Sequence, residues 1–379
     1  MPDLIIKPNS AVGDKLIIQD RAGGAVLTTA DSGSTIINTA LTATALDSPS
    51  IILTPTATAS APSGAEGKLY YDSDQDALMI YTDAWNKVGQ TVVSGGTETA
   101  YGSYKVHTFL ASGTLTVTGA SIFADILIVA GGGAGGHAHG GGGGGGGMVV
   151  LPSFSLASGT YDVVVGAGGV GTQYSSGNGP NAAALTGDDS SLLQQGISRS
   201  SADPTIAKGG GGGHGETSGD NLAGAGGSGG GGGYSSGLQS GGASNQTHNS
   251  GQVGNSYGNA GGNGVTTSSP WPGAGGGGAG ATGGNASGSP GSGGAGRAND
   301  YRTVSNVTYA GGGGGSAYGS GDPTPGGGGS GGGGQGGNNS GTNATSGTDG
   351  LGGGGGGNER TSSTMASGGS GIVVIRYTS

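Results

Sequence analysis

Four short constellations carry residue types that could do chemistry. Asp72, Asp74, Asp76 and Asp83 fill positions 1, 3, 5 and 12 of a calcium-binding loop. Position six of such a loop needs glycine for its sharp turn, and here it is Ala77, while the flanks read as strands rather than helices. An acidic turn between two strands is therefore expected. His137-Ala138-His139 would project both rings to one side of an extended chain. Repeated round a trimer axis, His137 and His139 could bind nickel, iron or zinc, but without symmetry two histidines are too few. Gly226-Gly227-Ser228-Gly229-Gly230 matches a nucleophile elbow in spelling, yet no strand-turn-helix pattern surrounds it and glycine is too common for the match to inform. Gly67-Lys68 is followed by Leu69, so no phosphate-cradling P-loop is present. No catalytic residue and no cofactor is expected, and the chain reads as a non-enzyme.

The elements that would position any such residue are dominated by one composition step. The chain has 379 residues, of which 100 are Gly and 13 are Pro, a proportion for which disorder is the default expectation. Only 12 of those glycines fall in residues 1–130, and 88 fall after it. Cysteine is absent, which excludes disulfides and thiolate metal sites. The net charge of -10, with no basic run, argues against a nucleic-acid partner. No apolar run reaches 18 residues, so no membrane insertion is expected. The start MPDLIIKPNS lacks the shape of a signal peptide, which points to cytosolic synthesis without the usual export signal.

Residues 1–45 read as short strands, at Leu4–Ile6, Lys15–Gln19, Ala25–Thr29 and Thr35–Ile37, separated by Gly and Asp turns. Residues 46–64 have a linker composition, 67–89 read as a β-hairpin with Trp85 in its core, and 90–103 are polar and linker-like. Five strand candidates follow within 104–165: YKVHTFL, GTLTVTG, ADILIVA, MVVLPSFSL and TYDVVV. The last is GIVVIRY, almost at the C-terminus, so strands frame the glycine region at both ends.

The glycine runs, among them 140–147, 209–213, 311–315 and 352–357, have neither a fixed repeat length nor a G-x-y period. As left-handed threefold (polyglycine II) helices they would span roughly 12–25 Å, close to a strand length. Such a helix has no internal hydrogen bonds, so its N–H and C=O groups must find partners on neighbouring helices. A stack of glycine helices, a core without side chains, is expected. The turns between runs carry most of the large side chains: His214, Tyr234, His248, Tyr257, Trp271, Tyr301, Tyr309 and Tyr318. Rigid scaffolds with variable loops suit recognition, and Tyr and Trp offer contact area at low entropic cost. Tyr234, His248, Tyr257, Trp271, Tyr301 and Tyr318 are the binding candidates. For Trp271, between two prolines in SSPWPG, packing as a cap over the glycine stack is the competing role.

The pattern ADILIVAGGGAGG … MVVLPSFSLASGTYDVVVGAGG … GSGIVVIRY resembles the glycine-rich domain of phage tail fibres and receptor-binding proteins, over about residues 104–379. APSGAEGKLYYDSDQDALMIYTDAWNKVG resembles a short tail-fibre module, and DLIIKPNSAVGDKLIIQDRAGGAVLTTADSGSTI looks like the start of marine-phage tail fibres. The resemblance implies an all-β protein with polyglycine II-like helices and essentially no α-helix. It implies a virion-attachment region at 1–45, a linker plus hairpin module at 46–103, and a β-sandwich-framed, receptor-binding glycine-rich domain at 104–379. The implied partners are a phage tail, baseplate or adaptor protein at the N-terminus, two further copies in a homotrimer, and a host surface polysaccharide or outer-membrane protein. The chain is also similar to the tip adhesins of T-even-like phages, but its own attachment-like segments fit a whole short fibre. A collar- or whisker-type structural fibre, and a free silk-like or ice-binding protein, are the rival expectations.

Overall fold

The computed structural model describes residues 55–64, 66–171, 186–196, 205–216, 221–234, 239–246, 254–266, 269–319, 323–359 and 365–378, with three short strands before them. Residues 1–88 and 89–379 form two compact units. Among the described residues the chain is all-β, its one helical piece being a 3-10 turn at Thr58–Ser60.

In the first unit β1 (Ile17–Gln19), β2 (Ala25–Thr29) and β3 (Thr35–Ile37) form an antiparallel sheet. The expected strand at Leu4–Ile6 lies outside the described residues. A second sheet holds β4 (Pro55–Thr56), β5 (Leu69–Asp72), β6 (Ala77–Tyr81) and β7 (Trp85–Lys87). The β5–β6 turn is the acidic segment. Asp72 is fully buried there and accepts hydrogen bonds from Thr58 Oγ1, Tyr70 Oη and the N–H groups of Asp74 and Gln75. Burial pushes its carboxyl up, but the bonds from Tyr70, Thr58, Gln75 and Asp74 outweigh that and hold it at about 2. Asp72 is thus a turn-forming acceptor. Trp85 packs edge-on to Tyr70 and Tyr81, and its Nε1–H donates to Pro62 O at 3.1 Å.

The second unit opens with β8 (Val92–Ser94) and β9 (Thr97–Tyr101). Residues 90–103 therefore differ from the linker expected of them. Polar residues suit edge strands, and Gly95 and Gly96, with φ of 121° and 62°, carry the chain from one sheet to the other. The five expected strands follow as β10 (Tyr104–Phe109), β11 (Gly113–Thr118), β12 (Ile122–Val129), β13 (Met148–Leu156) and β14 (Gly159–Val164). Next come β15 (Ser190–Gln194), β16 (Ile206–Ala207), β17 (Asn221–Leu222), β18 (Gln239–Ser240), β19 (Asn255–Tyr257), β20 (Arg297–Asn299), β21 (Val307–Tyr309) and β22 (Ile372–Thr378). Two sheets pack as a sandwich, in the orders β19-β13-β12-β22-β10-β9 and β16-β15-β14-β11-β8. Ile126 and Ile128 of β12 face the other sheet, while Leu127 and Val129 face Tyr309 and Ala310 on the opposite side. Burial on both faces explains the unbroken apolar run Ile126–Val129.

Beyond the sandwich the strands continue as glycine helices. β12 runs into 130–136, and 140–147 runs into β13, so the β12–β13 hairpin extends as two antiparallel arms. Ala130, Gly133 and Gly136 donate to Gly147, Gly144 and Gly141. The N–H groups of Gly141, Gly144 and Gly147 donate to His214, Gly211 and Lys208; those of Gly142 and Gly145 to Ala274 and Gly277; those of Gly140, Gly143 and Gly146 to Asn358, Gly355 and Gly352. Each neighbour recurs every third residue, which is the signature of a threefold helix. The carbonyls of 139–147 accept from three further segments with the same period, 130–136, 228–234 and 313–316. The central run is thus enclosed by six neighbours, five antiparallel and 274–277 parallel. Contact is so close that a methyl group on Gly143 would overlap the carbonyl oxygen of Gly133.

Gly143→Ala is expected to cost more than about 3 kcal/mol, the upper range for overpacking, because both partners are hydrogen-bonded backbone. Gly327→Ala, where a methyl group meets nothing within 4 Å and φ is not positive, is expected to stay within about 1 kcal/mol of the parent. Thermal melts of the two variants check this.

Candidate functional site

The turn 137–139 closes the two arms at the end of the bundle away from the sandwich. Seven residues, 130–136, separate it from β12, which is roughly 22 Å of threefold helix. Other segments end at the same level, as their bonds to the turn and to the start of run 140–147 show. His214 accepts from Gly141, Asn358 accepts from Gly140, Ser316 donates to Gly140, and Tyr234 donates to His139 O. This end is called the tip below.

The tip gathers aromatic residues from separate turns. Trp271 and Tyr318 stack with centroids 5.1 Å apart and planes at 16°, and Trp271 N–H donates to Tyr318 O at 3.2 Å. Tyr234 lies 5.4 Å from Trp271 at 33°. All three rings are half-buried. His139 touches each of them, with centroids at 5.9 Å from Tyr234, 5.1 Å from Trp271 and 4.7 Å from Tyr318. Its Nδ1 lies 2.9 and 3.0 Å from the two carboxylate oxygens of Glu359, and its Nε2 lies 3.7 Å from Glu216.

The histidine pair does not form the extended two-ring arrangement expected for a metal. Ala138 and His139 have φ of 55° and 53°, so the segment turns, and both ring nitrogens of His139 face carboxylates. His137 is half-buried and has interactions of its own. Among the described residues no group of three His, Cys, Asp or Glu side chains is placed to hold a metal ion.

Of the six aromatic and histidine candidates, Tyr234, Trp271 and Tyr318 meet at the tip. Tyr257 lies in β19, paired with Met148 at the sandwich end, with the Arg297 guanidinium 3.8 Å from its ring centre. Tyr301 is also at that end, beneath Arg376 at 4.3 Å. Burial, then the Asp125 carboxylate, pushes the Tyr301 phenol up to about 12. Arg376 in turn donates to Asp125 through Nε at 3.2 Å and Nη2 at 2.7 Å, and stacks on Tyr104. These contacts brace β22 and β12 against the loop after β20. His248 lies outside the described residues.

Glu216 and Glu359 were not among the candidates. A signal for them existed: acidic residues are scarce in the glycine region, and each follows a glycine run by two or three positions, in GGHGE and GGNE. His214, at the same level, is buried, and its Nδ1 has no hydrogen-bond partner among the described residues.

The family model described as a glycine-rich domain matches residues 107–378, and the chain belongs to that family. No curated protein matches the chain.

Burial pushes the His214 imidazole below the usual histidine range, with a backbone bond at Gly215 opposing in part. Its folded-state affinity for a proton is the lower one, so its contribution to stability is complete above the unfolded value near 6.5 and is lost as pH falls below it. Melting temperature is expected to drop between pH 7 and pH 5, and less so in His214→Gln. Parallel melts at the two pH values measure the difference.

Proposed function

We propose that the protein is a bacteriophage tail fibre that binds a host cell-surface receptor through the tip of its glycine-rich domain. The observation that carries the reading is the gathering of Tyr234, Trp271 and Tyr318, from three separate turns, at the end of the bundle remote from the sandwich. Half-buried Trp and Tyr clusters on a rigid support are the usual anchors of recognition surfaces. The glycine bundle supplies the rigidity, because the described glycine runs that carry these rings are bonded to one another in a lattice. The family match supports the scaffold half of the reading, and the resemblance of the two N-terminal segments to tail-fibre modules supports attachment to a tail, baseplate or adaptor protein.

In this reading residues 1–45 attach to the virion, 46–88 bear the linker and hairpin module, and the unit from residue 89 onward, which includes the edge strands β8 and β9, recognises the host. Three chains assemble as a homotrimer. The receptor is a surface polysaccharide or an outer-membrane protein. Binding is non-enzymatic, and several copies on one virion turn weak contacts into firm adhesion by effective concentration. Among the described residues no helix is long and apolar enough to cross a membrane.

The tight packing of the rings also suits a structural fibre, in which they would only cap the bundle. Fluorescently labelled full chain, titrated against candidate host strains, separates the two roles. Saturable binding to one strain is expected, weakened at least tenfold by Tyr234→Ala, Trp271→Ala and Tyr318→Ala together and unchanged by Tyr257→Ala. Absence of binding to a strain that the phage infects would favour the structural role.

A further inference from the structure

We infer that His139 is a positioning residue, whose imidazole, anchored by Glu359, sets the three rings of the tip in one arrangement. The inference rests on the reading of the tip as a receptor-binding surface, and it names the group that organises that surface.

The backbone is the first observation. Ala138 and His139 both have left-handed φ, which favours glycine. Glycine surrounds them, at 135–136 and from 140 to 147. In a chain with 100 glycines, a histidine occupies a position that glycine would fill with less strain. A strained conformation persists where the surrounding contacts outweigh it, and such positions gather at functional sites.

Those contacts are the second observation. His139 and Glu359 are each 1% exposed, and Nδ1 faces both carboxylate oxygens within 3.0 Å. A buried carboxylate accepting from a ring N–H fixes the rotation of the imidazole, as charge-assisted bonds in dry surroundings do. The ring so fixed meets Tyr318 and Tyr234 edge-on, at 73° and 84°, and Trp271 at 57°. These three residues are supplied by turns far apart in sequence, and His139 touches all of them. The chain of support therefore runs from Glu359, at the end of run 352–357, through His139 to the three rings. Removing the imidazole would leave a void at the centre of the cluster and deprive Glu359 of its His139 bond. Tyr234, Trp271 and Tyr318 would then sample several arrangements, and binding would bear the cost of ordering them.

The test uses full chain carrying Trp85→Phe, so that Trp271 is the remaining tryptophan of the two. His139→Gly relieves the backbone strain and deletes the ring, so the two possible roles of His139 predict opposite results. For a positioning residue, acrylamide quenching of Trp271 rises at least twofold, binding to the host strain falls at least tenfold, and hydrogen exchange in the run 141–146 is unchanged. For a mere turn residue, His139→Gly leaves quenching and binding at parental levels and raises the melting temperature; that result overturns the inference. Glu359→Gln keeps an acceptor oxygen and is expected to give intermediate quenching. It replaces the glycine variant should that fail to fold, and unaltered quenching in it would likewise overturn the inference. Quenching reports on the tip without a receptor. Raised quenching with undiminished binding therefore upholds the role of His139 in ordering the rings, and removes the tip as the receptor site.

Discussion

A backbone amide or carbonyl taken out of water must find a partner, and two polypeptide backbones can approach closely enough to supply each other only where no Cβ stands between them. The bundle depends on that constraint. Each glycine helix has no internal bonds and cannot be stable by itself, since glycine surrenders the most conformational entropy on folding. The run 140–147 is stabilised by six neighbours, three accepting from its N–H groups and three donating to its carbonyls. With a threefold screw each neighbour is addressed at every third residue, so the lattice extends in two dimensions, unlike a sheet, whose strands bond to two sides only.

The lattice needs a boundary that sets its register, because glycine has no side chain with which to distinguish one neighbour from another. The β-sandwich provides it. Three of its adjacent strands, β12, β13 and β22, pass without interruption into glycine helices, and their ladder positions are set by ordinary apolar packing of Ile126, Ile128, Val149, Leu151, Val373 and Ile375. At the far end the closing contacts are side chains again: the rings of Tyr234, Trp271 and Tyr318 round His139, and its bond to Glu359. Side-chain specificity is thus concentrated at the two ends of a core that has none.

This division explains what the sequence disclosed. The strands within 104–165 and the closing strand were legible from β-branched residues and alternation, and the acidic turn at Asp72 from its mismatch with a calcium loop. The stacking of the runs followed from the chemistry of glycine. Residues 90–103 were misread because edge strands such as Thr97–Tyr101 are polar on faces that water covers, and the same residues suit a linker. The composition of the tip was half legible. Aromatic residues in turns marked the candidates, but which of them meet depends on pairing between runs far apart in the chain. His139 and Glu359 are separated by 220 residues, and nothing local encodes that contact. Tyr257 and Tyr301 carry the same local signal as Tyr234 and Tyr318, yet emerge at the opposite end with Arg297 and Arg376.

Native-state hydrogen exchange of the glycine amides tests the bundle most directly. Amides 141–146 of the central run are expected to exchange as slowly as those of β12 and β22, through opening of the whole unit, since each is bonded to a buried neighbour. Exchange of these amides at the rate of an unstructured glycine chain, while β12 and β22 stay protected, would contradict a hydrogen-bonded glycine core and reduce the runs to linkers between strands.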